Sequence, residues 1–321
     1  METPGMERGG GGGGGGGGER RSVPRTITPL SMPAYDGDSL LRFPLKGPEL
    51  QRFVRDALDE DQAFNDLTTI ATVVSDRRAR ATLVARGNGT IAGLSLALEA
   101  FRQLDPKATL RVEREDGFRV QKGDPVVFVT GHARALLGAE RVALNFMQRL
   151  SGIATLTAKF VEAVAETKAK ILDTRKTTPG WRRLEKYAVR AGGGLNHRMD
   201  LADQILIKDN HLSACDGDVA LAVKRVRDML PRKMQIEVEC ETPRQVQVAV
   251  DSNVDIVLLD NMSLDDLRES VRIAAGRVKT EASGGVNLST VRGIAETGVD
   301  WISVGALTHS PPALDLALDF D

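Results

Sequence analysis

Five side chains that are or can be cationic fall between residues 175 and 208 of this sequence. Arg175 and Lys176 directly follow the apolar run ILDT, Lys208 directly follows ILI, and His197 and Arg198 sit between them in AGGGLNHR. One such residue alone would be a solvated surface charge. Several gathered at one concave, partly desolvated mouth would repel one another strongly unless an anion joined them. Arginine suits a carboxylate, which it grips in bidentate fashion, and lysine suits a phosphate as a point charge. Two further runs, EASGGVNLS and VGALTHS, place Ser283, Gly284, Gly285 and Gly305 just after strands, where glycines let the backbone close on a phosphate. Glu239 and Asp260 end neighbouring apolar runs. Carboxylates facing a cationic wall suit ribose hydroxyls, a Mg²⁺ ion or developing positive charge, and a salt bridge to the lysines is the plain alternative. Glu237 has the same strand parity as Glu239, so alternation does not choose between them. These residues together predict a site for a phosphorylated sugar and an anionic second substrate, with Mg²⁺.

The elements that would position these groups follow from periodicity. From about residue 170, apolar strands alternate with helical segments: KILDTRK, DQILIKDN, MQIEVEC, DIVLLDN, KTEASGG and WISVGAL. Each strand is apolar until its end and polar there. In a barrel all such ends converge on one mouth, whereas an open sheet gathers only those near a switch point. The predicted fold is therefore α/β, with an N-terminal α+β open-sandwich domain followed by an (α/β) barrel of six to eight strands. The expected bounds are a disordered Gly-rich tail over 1–39, the α+β domain over 40–145, the catalytic barrel over 146–310 and a C-terminal segment over 311–321 that packs back on the N-terminal domain. In the α+β domain, Gly47 and Pro48 open a helix whose stripe is Leu50, Phe53, Val54, Ala57 and Leu58. Two helices, ARALLGAERVALNFMQRL and IATLTAKFVEAVAETK, are expected on either side of a break at Ser151-Gly152.

Composition removes several function classes. Forty-three basic residues against 44 acidic ones give a net charge of -1, which lacks the electrostatics of a nucleic-acid or polybasic membrane binder. No apolar run is long enough for a membrane helix. Two cysteines, Cys215 and Cys240, supply neither a disulfide framework nor a thiolate zinc site, and the expected compartment is cytoplasmic. The four histidines show no metal spacing, and neither a G-x-S-x-G elbow nor a dinucleotide fingerprint is present. The glycine excess is one tract, Gly9 to Gly18.

From about residue 45 onward, LNFMQRLSGIAT, DTRKTTPG, EKYAVRAGGGLNHR, ILIKDNH, LLDN, ASGGV and TGVDWISVGALTHS resemble the quinolinate phosphoribosyltransferases. Asn65, in FNDLTT, stands where that family usually has Gly. The resemblance implies a decarboxylating pentosyltransferase of NAD biosynthesis that joins quinolinate to 5-phosphoribosyl-1-pyrophosphate, giving nicotinate mononucleotide, pyrophosphate and CO2. It implies that Thr174, Arg175, His197 and Arg198 hold quinolinate, and that Arg141 completes this clamp from the neighbouring subunit of a homodimer or dimer-based hexamer. Lys176 and Lys208 then neutralise pyrophosphate, and Glu239 and Asp260 serve the ribose. Mg²⁺ is carried by pyrophosphate, with Asp209, Glu239 and Asp260 as candidate ligands, and Ser283 to Gly285, Val304 to Ala306 and His309 cradle the 5-phosphate. The competing expectations are a paralogue with another pyridine or phosphoribosyl acceptor, and a catalytically silent binding protein on the same scaffold.

Overall fold

A computed structural model describes residues 41–230 and 234–321, so the Gly-rich segment expected over 1–39 lies outside the described residues. The first helix, Pro48–Glu60, starts where Gly47 takes φ 46 and Pro48 supplies a pre-set first turn, and it buries Val54 and Leu58. Asn65 closes the short turn Ala63–Asn65 without a positive φ, so nothing in its backbone demands glycine.

Strands β1 (Arg78–Ala85), β2 (Gly89–Thr90), β3 (Thr109–Val112), β4 (Arg119–Val120) and β5 (Pro125–His132) form the N-terminal half. Ala81, Leu83 and Ala85 alternate inward along β1, as a half-buried antiparallel strand requires. The second half contributes β6 (Lys170–Leu172), β7 (Ile205–Ile207), β8 (Ile236–Cys240), β9 (Ile256–Asp260), β10 (Lys279–Ser283) and β11 (Trp301–Ser303), with helices between successive strands. The last strand, β12 (Leu316–Phe320), leaves that half and pairs antiparallel with β1, from Ala81↔Phe320 to Ala85↔Leu316. The N-terminal sheet therefore runs β12-β1-β5-β3, with helices Leu94–Leu104 and Ala133–Ala163 packed together beside it.

The six parallel strands run β6-β11-β10-β9-β8-β7. The two ends of that order are the first and second strands of the unit, which are neighbours in a closed barrel. The strand order is thus that of a barrel, with a seam between β6 and β7. On the β6 side the seam is lined by Leu195, whose amide donates to Ile171 O (2.8 Å) and whose carbonyl accepts from the Asp173 amide (3.1 Å). The segment AGGGLNHR is therefore tied to a barrel strand and is not a free loop.

The break expected at Ser151-Gly152 is absent. One helix of 31 residues, Ala133–Ala163, passes straight through it. Both residues are buried, and each is small because another segment presses against it. Ser151 Oγ accepts from the Ala92 amide (2.9 Å), and a Cβ on Gly152 would strike the carbonyl oxygen of Pro312. The pair marks a packing notch on a long helix, where the returning C-terminal segment crosses; Gln148 O on the same helix accepts the Leu314 amide (3.0 Å).

Candidate active site

The polar strand ends meet. A cleft of about 840 Å³ opens at the C-terminal ends of the six strands. Thr174, Arg175 and Lys176 after β6, His197 and Arg198 from the seam segment, and Lys208 after β7 form one side. Glu239, Asp260, Ser283, Gly284 and Gly285 continue around it, followed by Gly305, Ala306 and His309 beyond β11. Three expected site residues lie outside the cleft lining. Val304 is buried just before Gly305, Asp209 is exposed at the start of helix Asp209–Ser213, and Arg141 is exposed on the long helix.

Two buried polar anchors hold the cationic side. Asp173, at the end of β6, accepts from Lys186 Nζ, from Asn196 Nδ2 (2.6 Å) and from the His197 amide (2.9 Å). Lys186 Nζ also donates to His197 O (2.8 Å). Helix Arg182–Ala191, strand β6 and the seam segment are thereby fixed to one another around a fully buried ion pair. The second anchor is Glu185, which orders the turn after Lys176 by accepting from the Thr178 amide (3.0 Å) and hydroxyl (2.8 Å).

The charge within the cleft is unbalanced toward cations. Arg175 Nε is buried with no hydrogen-bond partner. Burial, and then the neighbouring Arg175, lower the proton affinity of the Arg198 guanidinium. Arg198 donates to the carbonyl of Gln204 (3.0 Å), and Glu237, Asp200 and Asp203 offset part of its charge from a distance. An anion entering between the two arginines would relieve that repulsion. Lys208 is paired with Glu239, so the salt bridge that was the alternative role for Glu239 is present. Asp260 accepts from Ser283 Oγ (2.5 Å) and Asn261 Nδ2 (2.7 Å), which orient its carboxylate at the mouth. Glu239 and Asp260, on adjacent strands, present the hard oxygen donors that Mg²⁺ takes.

The glycines after β10 have a stated reason to be glycine. Gly284 has φ +90, and a Cβ there would overlap Asn261 Oδ1; Gly285 has φ +59 with open space before it. The backbone at this corner is bare toward the cleft, as close approach of an anionic group requires.

Sequence reasoning missed the layer beneath. Glu237 and Glu281 are buried in β8 and β10, each two residues below a mouth residue, Glu239 and Ser283. His197 Nε2 lies 3.2 Å from Glu237 Oε2 and 3.5 Å from Glu281 Oε1. Its Nδ1 accepts from the Arg198 amide (2.7 Å). Nδ1 is thus bonded to backbone, and Nε2 faces the two carboxyls. Burial pushes both carboxyls up, to about 8, and lowers the proton affinity of the imidazole. Gln204 Nε2 donates to Glu237 Oε2 (3.0 Å), while Glu237 Oε1 has no partner. The signal in the sequence was the shared parity of Glu237 with Glu239.

Comparison with known proteins matches residues 66–151 to the quinolinate phosphoribosyl transferase N-terminal domain and residues 153–319 to the C-terminal domain of the same family. The chain is 42% identical to a probable nicotinate-nucleotide pyrophosphorylase [carboxylating] of Bacillus subtilis, over 84% of this chain and 93% of the relative. It is 40% identical to the chloroplastic nicotinate-nucleotide pyrophosphorylase [carboxylating] of Arabidopsis thaliana, over 94% and 92%. A solved nicotinate-nucleotide pyrophosphorylase from Francisella tularensis superposes with a TM-score of 0.80 at 39% identity, covering 85% of this chain and 96% of that one.

Proposed function

From the premise that this chain belongs to the quinolinate phosphoribosyltransferase family, we propose how its cleft carries out the family's reaction. That reaction transfers the phosphoribosyl group of 5-phosphoribosyl-1-pyrophosphate to quinolinate with loss of CO2, giving nicotinate mononucleotide for NAD biosynthesis. The observation that carries the assignment of the acceptor subsite is the Arg175–Arg198 pair: two cations held close together, one with a buried, unpartnered Nε. Two adjacent carboxylates on a pyridine ring match them in charge and in bidentate geometry.

The phosphoribosyl donor lies along the opposite side. Its 5-phosphate sits in the corner formed by Ser283, Gly284 and Gly285 with Gly305, Ala306 and His309. Its pyrophosphate faces Lys176 and Lys208, and its ribose hydroxyls face Glu239 and Asp260. Asp260 and Glu239 would hold Mg²⁺ together with the pyrophosphate, and the ion would offset the charge of the leaving group. Asp209 is set aside as a ligand because it lies outside the cleft lining.

No side-chain nucleophile is required. The pyridine nitrogen attacks the anomeric carbon, and the protein contributes position and charge. Arg175 and Arg198 orient the ring, and Lys176 and Lys208 take up the charge of pyrophosphate as its bond to carbon breaks. Once the nitrogen is quaternary, its positive charge stabilises the electron pair left at the neighbouring carbon when CO2 departs. Arg141, exposed and outside its own cleft, completes the clamp as the partner subunit's Arg141 in a homodimer or a dimer-based hexamer. No helix among the described residues is long and apolar enough to cross a membrane, and the cytoplasm is the proposed compartment.

The test is incubation of the purified chain with quinolinate, phosphoribosyl pyrophosphate and Mg²⁺. Stoichiometric nicotinate mononucleotide and CO2 are expected, and neither should form when Mg²⁺ is removed by chelation. Product at an unchanged rate under chelation would remove Mg²⁺ from the proposal, and absence of product with all three present would overturn the assignment of the cleft.

A further inference from the structure

At the floor of the cleft, His197, Glu237 and Glu281 bring one ring nitrogen and two carboxylate oxygens within 4.8 Å of one another. Their composition is that of a cation site, but the other ring nitrogen decides against one. His197 Nδ1 accepts a hydrogen bond from the Arg198 amide, so it carries no proton, and the imidazole proton sits on Nε2. A metal on Nε2 would leave both ring nitrogens without hydrogen, whereas a metal-bound histidine donates its remaining N–H. The Nε2 edge instead faces the two buried carboxyls, 3.2 Å from Glu237 Oε2 and 3.5 Å from Glu281 Oε1, and the latter oxygen has no other hydrogen-bond partner. Glu237 is held from the side by Gln204, and Glu281 by the Ser303 hydroxyl on the adjacent strand.

We propose that Glu237 and Glu281 are positioning residues for the acceptor subsite, acting through His197 on Arg198. The two carboxyls fix the plane of the imidazole, whose Nε2–H faces them. The imidazole, through Nδ1, fixes the Arg198 backbone, and with it the guanidinium assigned to a quinolinate carboxylate. The path is therefore Glu281 and Glu237 to His197 Nε2–H, then His197 Nδ1 to the Arg198 amide. His197 is a wall and a strut of the clamp, with Nδ1 bonded to the Arg198 backbone and Nε2 turned to the carboxyls, and Arg198 makes the ionic contact. This inference rests on the assignment of the cleft to quinolinate.

Steady-state kinetics of Glu281→Ala and Glu237→Ala test it, with quinolinate and phosphoribosyl pyrophosphate varied separately. Loss of the group that orients a metal-ligating histidine weakens such sites by about ten- to a hundredfold, and the same scale is expected for a group that orients an anion-contacting arginine. The KM for quinolinate should rise by that factor, while the KM for phosphoribosyl pyrophosphate stays within about twofold, because uniform acceptor binding is what is lost. Glu281→Gln and Glu237→Gln, whose amide oxygens can still face the Nε2 hydrogen, should recover most of the loss. Equal rises in both KM values, or no recovery with Gln, would overturn the proposal. A second measurement needs no variant: ¹⁵N NMR of His197 in the wild-type protein at neutral pH should report a bare Nδ1 and a protonated Nε2. The opposite tautomer overturns it, as does a shift of the His197 signals on titration with Zn²⁺ or Mg²⁺ alone. If wild-type protein fails to bind quinolinate at all, the assignment of the cleft fails instead.

Discussion

Arg149 Nη2 lies 2.7 Å from Oε1 of Glu185, a carboxylate with no exposed surface, and this contact joins the long helix Ala133–Ala163 to the wall of the cleft. The same guanidinium donates to Thr308 O (2.6 Å), just before His309. One side chain therefore links a helix that belongs to both halves with two corners of the site, the turn after Lys176 and the turn after β11. Removing Glu185 leaves a partly buried guanidinium unpaired and frees the Thr178 amide. Glu185→Ala should cost about 1–3 kcal/mol of stability, the range for leaving buried donors without their acceptor, because Arg149 is partly exposed and keeps Thr308 O. Denaturant melts check this, and a loss below about 0.5 kcal/mol, the scale of an ordinary surface change, would mean the contact carries no weight.

Gly284→Ala addresses the phosphate corner. The new methyl group would overlap Asn261 Oδ1 while the backbone held φ +90, so the corner must move. The KM for phosphoribosyl pyrophosphate should rise at least tenfold, with quinolinate affinity in calorimetry nearly unchanged. Equal loss of both ligands would show that the corner does not separate the two subsites.

Acceptor choice follows from the two arginines. Nicotinate, with one carboxylate, leaves part of the clamp unpaired in a desolvated place, and sites built around a polar group reject analogues lacking it by about 10⁴-fold. Comparison of kcat/KM for the two acids reads this directly, and similar values would remove the two-carboxylate clamp.

The proposed trans role of Arg141 makes a quantitative prediction. Arg141→Ala and Lys176→Ala should each be nearly inactive alone. Random subunit exchange places about half the chains in mixed dimers, in which one site carries both lesions and the other none, so about a quarter of wild-type activity should return. Mass spectrometry verifies the exchange. Activity that stays at the parental level in verified heterodimers would show that Arg141 does not act across the interface.

Glu281 should leave a mark on stability as a function of pH. Burial raises its carboxyl to about 8 in the folded chain, while an unfolded glutamate titrates near its ordinary value of about 4.3. Between those values the unfolded state binds fewer protons, so the contribution of Glu281 to stability is whole below about 4.3 and falls as pH rises to about 8. Glu281→Gln removes this dependence. Its melting temperature relative to wild type should climb steadily from pH 5 to pH 8, and a constant difference would show that the carboxyl is not held protonated.

The mouth of the site was legible in the sequence because each strand of the second half is apolar along its length and polar at its last residues. That pattern alone places Arg175, Lys208, Glu239 and Asp260 on one rim. Depth was not legible. Glu237 and Glu239 point the same way from one strand, and a separation of two residues is about 6–7 Å along it. That distance separates a rim carboxylate from one buried in the barrel interior, and parity carries no information about it. Ser151-Gly152 misled for a related reason. Small residues mark a break or a close crossing, and only the partner segment, here Pro312 from the far end of the chain, tells which. Arg141 is a third case: its expected place came from the family resemblance, and periodicity could say only that it rides on a helix.

The pairing of β12 with β1 has a consequence for the newborn chain. β1 ends at Ala85, and the strand that covers its edge begins at Leu316. On a ribosome adding roughly 5–20 residues each second, that edge waits on the order of ten to fifty seconds for its partner, with ladder N–H and C=O groups bare. The N-terminal sheet is made first and completed last. A stalled or truncated translation product lacking the final residues would expose an unpaired strand beside an already formed helix, which is a template for sticking to a second unfinished copy.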